Sequence, residues 1–135
     1  MLKYISAISI ILVLVGCQQD TEMPSKIMMQ AESDNWFVTI EYNMEGTEYV
    51  ERPSITYIGD PDINSAWLDI KYEKGKSVTR NHIQLPKELN SHQEITLVTR
   101  SKVKPPVSIK HLVIKWEQNG EELTETIIPT TLEIE

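Results

Sequence analysis

The segment of residues 60–64 holds the side chains best suited to bind a metal ion. Its first, third and fifth residues supply oxygen atoms in the order that opens the twelve-residue calcium-binding loop. The sixth position of that loop requires glycine but is Ser65, and the twelfth requires a bidentate glutamate but is Lys71. Because aspartate, proline and asparagine also favour turns, we interpret the segment as a turn. The weak candidates for an oxygen-only calcium site are Asp60, Asp62 and Asn64.

The other residues that could carry out catalysis or bind metal are isolated along the chain. His82, His92 and His111 are too far apart for the close ligand pairs of a zinc site. No serine lies in a Gly-x-Ser-x-Gly motif. The adjacent Glu121 and Glu122 would point to opposite faces of a strand, so they would not converge on a substrate. The sequence therefore predicts a protein that is not an enzyme and uses no cofactor.

Cys17 is the only cysteine in the chain, so no disulfide can form within it. It follows an apolar run, Ile5 to Val15, which Lys3 precedes. The run is shorter than the roughly 20 residues that cross a membrane as a helix. Its length suits the central region of a signal peptide, roughly 7 to 15 residues. The sequence Leu14-Val15-Gly16-Cys17 that ends the run resembles the lipobox of bacterial lipoproteins.

This resemblance implies that the chain is cut between Gly16 and Cys17 and that the Cys17 thiol receives a diacylglyceryl group. Two or more acyl chains anchor a protein stably, so we expect a lipid-anchored protein on the extracytoplasmic face of the cell membrane. The alternative is an ordinary signal peptide, or an uncleaved anchor, that happens to contain a cysteine. An unpaired thiol in a secreted protein needs a specific explanation, and lipidation provides one.

The sequence then divides into three parts: signal peptide 1–16, lipidated cysteine and tether 17–35, and a β-domain 36–135. Residues 18–35 are mostly polar, and a flexible segment of this length would span about 20 to 25 Å. An alternative is that Ile27 to Met29 form an edge strand or a short helix packed on the domain.

The formal net charge of −7 limits the kinds of partner. Lys3 is the only charged residue of the predicted signal peptide, so cleavage makes the chain one unit more negative. Such a charge repels nucleic acid and anionic lipid. We therefore expect no nucleic-acid partner, and we assign the acidity chiefly to solubility.

From Trp36 onward, apolar and polar residues alternate with a period of two, which is typical of half-buried strands. Pro53 cannot donate to a β-ladder, so its strand should start after it, lie at an edge or be bulged there. Asn119-Gly120 is a preferred two-residue hairpin turn, and it places Trp116 opposite Leu123 and Leu112 opposite Ile127. The predicted strands are Trp36 to near Gly46, Tyr49 to Ile58, Ala66 to Tyr72, a weaker Ser77 to Leu85, Glu94 to Arg100, the two arms of this hairpin, and a terminal strand or extension that contains Leu132 and Ile134.

Short strands at a spacing of about 8 to 12 residues indicate an all-β fold, either a sandwich or a barrel. We favour an antiparallel β-sandwich of about seven strands. In the number and length of its strands, residues 36–135 resemble the small immunoglobulin-like domains of bacterial surface lipoproteins. The paired cysteines of antibody domains are missing, so packing between the sheets would have to hold the fold together.

One strand of the predicted sandwich suggests an interaction surface. If Ala66 and Leu68 face the core, then Trp67, Asp69 and Lys71 share the outer face, where an exposed tryptophan could anchor an interface. Alternatively, a loop or a neighbouring sheet edge covers Trp67. We expect a non-enzymatic binding module that contacts an envelope protein or a wall polymer. The alternative function is a lipoprotein inhibitor or accessory subunit of an envelope enzyme.

Overall fold

The computed structural model describes residues 22–59, 63, 65–73, 81–85, 90–97 and 101–135. These residues form antiparallel β-sheets, so the predicted all-β antiparallel class is confirmed. The predicted number of about seven strands is too low, because the strands Lys26–Glu32 and Lys102–Val103 were not counted among them. The described strands are β1 (Lys26–Glu32), β2 (Trp36–Glu45), β3 (Glu48–Tyr57), β4 (Ser65–Tyr72), β5 (Asn81–Gln84), β6 (Glu94–Thr96), β7 (Lys102–Val103), β8 (Ile109–Gln118), β9 (Glu121–Ile127) and β10 (Thr130–Ile134).

The strands form two sheets that share one core. The six-stranded sheet has the order β10-β1-β2-β3-β6, and β7 also pairs with β3. The four-stranded sheet has the order β5-β4-β8-β9. Hairpins join β1 to β2, β2 to β3 and β8 to β9. The chain passes from one sheet to the other between β3 and β4, between β5 and β6, between β7 and β8, and between β9 and β10.

The first strand lies in the segment that the sequence assigned to the tether. β1 pairs with β2 on one side and with β10 on the other. Met29 and Ala31 are buried, and Ile27 packs against the same core. The sheet therefore begins at Lys26 rather than at residue 36. The alternative of a strand at Ile27 to Met29 is confirmed, although this strand is internal to the sheet and not at its edge.

The Asn119-Gly120 hairpin forms as predicted. Both residues have positive φ, 52° at Asn119 and 78° at Gly120, as this two-residue turn requires. Trp116 lies opposite Leu123, and Leu112 lies opposite Ile127. The register is the expected one because a one-residue slip would turn the buried side chains of β9 toward solvent.

Pro53 lies within β3, which pairs on both sides and has no register shift against β2 there, so the expectation that the strand would start after Pro53, lie at an edge or be bulged there is wrong. It pairs with Ile40 of β2 on one side. On the other side its carbonyl accepts a hydrogen bond from the Leu97 amide. The described pairing of β3 with β6 ends at Ser54, and the described pairing of β3 with β7 ends at Val50. The nitrogen that carries no proton therefore faces the interruption between β6 and β7, where no ladder donor is needed.

Aromatic side chains from both sheets meet at the centre of the core. The Trp36 ring of β2 lies 5.0 Å from the Tyr57 ring of β3 and 5.5 Å from the Trp116 ring of β8. These separations and the tilted or edge-on ring angles are favourable for aromatic pairs. In the absence of a disulfide, this contact between β2 and β8 is a main connection between the two sheets.

Candidate functional site

The candidate site lies on the face of the four-stranded sheet that points away from the core. In β4, Ala66, Leu68 and Ile70 are fully buried, so the predicted alternation is confirmed. The side chains of Trp67 and Lys71 consequently project from the opposite face. Both are half-buried, which means that neighbouring side chains cover part of each.

The register of β4 with β8 arranges this face in rows. Trp67 lies beside Lys115, Asp69 beside Val113, and Lys71 beside His111. Residues that lie directly opposite each other in antiparallel strands are about 4.5 to 5.5 Å apart and are in contact. We refer to these six residues as the outer face.

Asp69 is not the exposed contact residue that the sequence predicted. Only 3% of its surface is exposed, although it belongs to the outer face. Asp69 lies in a central strand, between β5 and β8, and the longer side chains of Trp67 and Lys71 flank it along β4. Asp69 is therefore covered by its neighbours, and only the half-buried residues around it can touch a partner.

His111 of the outer face lies close to two lysine side chains. Burial lowers the pKa of His111, and the nearby ammonium groups of Lys71 and Lys110 lower it further. The imidazole is therefore neutral at pH 7. Within the described part of the chain, Lys71, Lys110 and Lys115 form no ion pair. Their charges are thus available to a partner, even though the protein as a whole is acidic.

A buried carboxylate between the sheets was not predicted from the sequence. Glu51 of β3 is 0% exposed and accepts hydrogen bonds from the hydroxyl groups of Tyr42, at 2.8 Å, and of Tyr72. The two hydroxyl oxygens are 3.1 Å apart. Burial raises the pKa of Tyr42 far above its usual value, and the charge of Glu51 and the hydrogen bond to it raise it further, so Tyr42 remains a donor.

A signal for Glu51 was present in the sequence. Glu51 is an even number of residues away from Tyr49, Ile55 and Tyr57, which are buried on the core face of β3, so its side chain points to the same face. Extending that alternation toward the start of β3 would have placed this glutamate in the core. Because it is inaccessible to a ligand, Glu51 is a residue of the fold and not of the candidate site.

The calcium candidates Asp60, Asp62 and Asn64, and the lipobox residues Gly16 and Cys17, lie outside the described residues. Of the three histidines, His82 lies on β5, His92 before β6 and His111 on β8. Across the described ranges, no three histidine, cysteine, aspartate or glutamate residues are grouped so as to hold a metal ion. That part of the chain also contains no helix long and apolar enough to cross a membrane.

Comparison of the chain with protein-family models, with curated proteins and with solved structures finds no match. The function of the protein is therefore inferred from the residues of the chain and from the geometry of the outer face.

Proposed function

We propose that the protein is a lipoprotein, anchored through Cys17 on the extracytoplasmic face of the cell membrane, that acts as a non-enzymatic binding module of the cell envelope. The lipobox sequence Leu14-Val15-Gly16-Cys17 supports the anchor. The outer face supports the binding role, and its partner is an envelope protein or a wall polymer.

We further propose that the fold is an immunoglobulin-like β-sandwich. The order β5-β4-β8-β9 corresponds to the C′-C-F-G sheet of such domains, and the order β2-β3-β6 corresponds to A-B-E. In this assignment, β1 and β10 are additions that widen the second sheet beyond strand A. The scheme gives β4 and β8 the positions of the central strands C and F, which carry the outer face.

Trp67 is the observation that carries the proposed binding role. Trp67 is a half-buried tryptophan on a sheet face, directly opposite Lys115, and tryptophan is among the residues that most often carry the binding energy of an interface. A small molecule is bound in a concave pocket, whereas the face of a sheet offers a broad surface. The outer face therefore suits a macromolecule.

We expect Trp67→Ala to abolish partner binding while leaving the fold intact. Because Trp67 is outside the core, its loss should lower the free energy of unfolding by about 1 kcal/mol or less. Removal of an interface anchor costs about 2 kcal/mol or more of binding free energy, which is roughly a thirtyfold loss of affinity. The measurement is recovery of envelope components by the full chain after crosslinking in the cell, together with thermal unfolding.

Leu132→Ala is the matched control for Trp67→Ala, because Leu132 is an exposed apolar residue, 61% exposed, on β10 of the six-stranded sheet and not on the sheet that carries the outer face. It should recover the same components as the unaltered chain. If Trp67→Ala unfolds the protein, Trp67 is a core residue. If Trp67→Ala and Leu132→Ala recover the partner equally well, the outer face is not the binding surface.

We expect Cys17→Ser to release the protein from the membrane. Serine lacks the thiol that would carry the diacylglyceryl group, so no acyl chain would hold the domain. Membrane fractionation should place the unaltered chain with the membrane and the variant largely outside that fraction, and the mass of the unaltered chain should include the lipid. A variant that stays in the membrane as completely as the unaltered chain would contradict the anchor.

A further inference from the structure

The chain joins the fold only a few residues after the proposed lipid anchor. The Tyr49 hydroxyl donates a hydrogen bond to the Pro24 carbonyl, at 2.7 Å. The Met44 amide donates to the Ser25 carbonyl, at 2.8 Å. The backbone is therefore fixed to β2 and β3 from Pro24 onward. Even a fully extended chain spans no more than about 25 Å between Cys17 and Pro24, at about 3.3 to 3.6 Å per residue.

The surface at this end of the domain is apolar and open. A shallow groove of about 530 Å³ lies beside the entering chain. Met23 is 55% exposed and lines the groove together with Met44 and Pro105. Ile134, 63% exposed, belongs to the same end, because the amide of Lys26 donates a hydrogen bond to the carbonyl of the next residue, Glu135, at 3.2 Å. Exposed apolar groups that cluster in this way mark a contact surface.

The position of the groove near the start of the described chain indicates that a membrane is its contact partner. Its lining includes Glu22 and Met23, the first two described residues, and an acyl group on Cys17 would lie within the same short length of chain. A membrane that holds Cys17 must therefore be close to this groove. The nearby charges have both signs, since Lys26 pairs with Glu41 at 3.8 Å and Glu22 lines the groove. Contact with a lipid surface would therefore depend on apolar groups more than on lipid charge.

We propose that this end of the domain rests on the lipid surface, with Met23 and the groove at the level of the lipid headgroups. The proposal depends on the proposed anchoring at Cys17. It fixes the orientation of the domain, because β2 and β3 run from the groove to the other end over ten residues each, about 33 Å. The Asn119-Gly120 turn then points away from the membrane, because the preceding Gln118 donates a hydrogen bond to the hydroxyl of Tyr57, at the other end of β3, at 3.4 Å.

Tryptophan reporters at the two ends test this orientation. The full chain, isolated from membranes, is reconstituted into phosphatidylcholine vesicles that contain brominated phosphatidylcholine, which quenches nearby tryptophans. Met23→Trp places a reporter at the groove, and Glu121→Trp places a matched reporter on an exposed residue of the Asn119-Gly120 hairpin. The three native tryptophans contribute the same background to both variants. We expect the quenching of the added tryptophan to be at least about twofold greater in Met23→Trp, because this reporter would lie at the lipid headgroups whereas Glu121 would lie at the other end of the domain, about 33 Å away.

Thr47→Trp provides a second reporter on the groove lining and should behave as Met23→Trp does. Equal quenching of the groove reporters and Glu121→Trp, with the chain retained on the vesicles, would overturn the orientation and leave the anchor intact. Failure of the unaltered chain to remain with the vesicles would overturn both proposals. Greater quenching only when anionic lipid replaces phosphatidylcholine would contradict an apolar contact.

Discussion

Trp36→Ala will destabilise the fold by about 3 to 5 kcal/mol, the usual cost of truncating a buried large aromatic side chain. Trp36 is fully buried and contacts Tyr57 in its own sheet and Trp116 in the other. Alanine would leave a cavity between the two sheets and remove both ring contacts. The loss is a large part of the 5 to 15 kcal/mol that typically stabilises a domain, so the variant should be partly unfolded at 37 °C.

Trp36→Phe separates the packing of this residue from its polar group. Within the described residues, the buried indole nitrogen of Trp36 has no hydrogen-bond partner. Phenylalanine keeps an aromatic ring and removes the unpaired donor, whose burial is unfavourable. We expect a loss of less than about 2 kcal/mol, well below that of alanine. Urea unfolding followed by circular dichroism measures both variants, and equal losses would mean that ring packing at Trp36 is unimportant.

The parts of the fold that the sequence predicted well are those determined locally. The Asn119-Gly120 turn fixes its own backbone geometry and hence the register of β8 with β9. Alternation along β4 places Leu68 in the core whichever strands lie next to it. Both features depend on the intrinsic conformations of a few neighbouring residues.

β1 was misassigned because its apolar face is weak. Met29 and Ala31 lie on the buried face, but methionine and alanine have no strong strand preference. The segment pairs along its whole length with β2, the next strand in the chain, and on its other side with β10, about a hundred residues later. Such pairing is decided by tertiary structure, and a single sequence gives little sign of it.

The candidate site was predicted in part for a related reason. The face of β4 to which Trp67 and Lys71 point follows from the alternation in the sequence. The burial of Asp69 depends on β5 and β8, which lie on the two sides of β4. The proximity of His111 to Lys71 likewise depends on strand pairing. The type of each residue and the sheet face to which it points can be predicted from the sequence, but the residues that lie opposite it on neighbouring strands cannot.

Glu51→Ala should destabilise the fold by about 2 to 5 kcal/mol, because a buried polar group left without its partner costs about 1 to 3 kcal/mol and the truncation adds a cavity. The residues affected are Tyr42 and Tyr72, whose hydroxyl groups donate to this carboxylate from different sheets. Glu51→Gln retains an acceptor of nearly the same shape and should lose less. Unfolding in urea at pH 7 measures the three proteins.

A triple variant, Tyr42→Phe, Glu51→Leu and Tyr72→Phe, shows whether this polar cluster stabilises the fold or only restricts its packing. Replacing all polar partners with apolar groups of similar shape is often neutral or stabilising, because no group remains unsatisfied. We expect the triple variant to be within about 1.5 kcal/mol of the unaltered protein and more stable than Glu51→Ala. A triple variant that is less stable than Glu51→Ala would mean that the hydrogen bonds between the sheets contribute net stability. The hydrogen bonds of Glu51 would then help to hold the two sheets together in a chain that can form no internal disulfide.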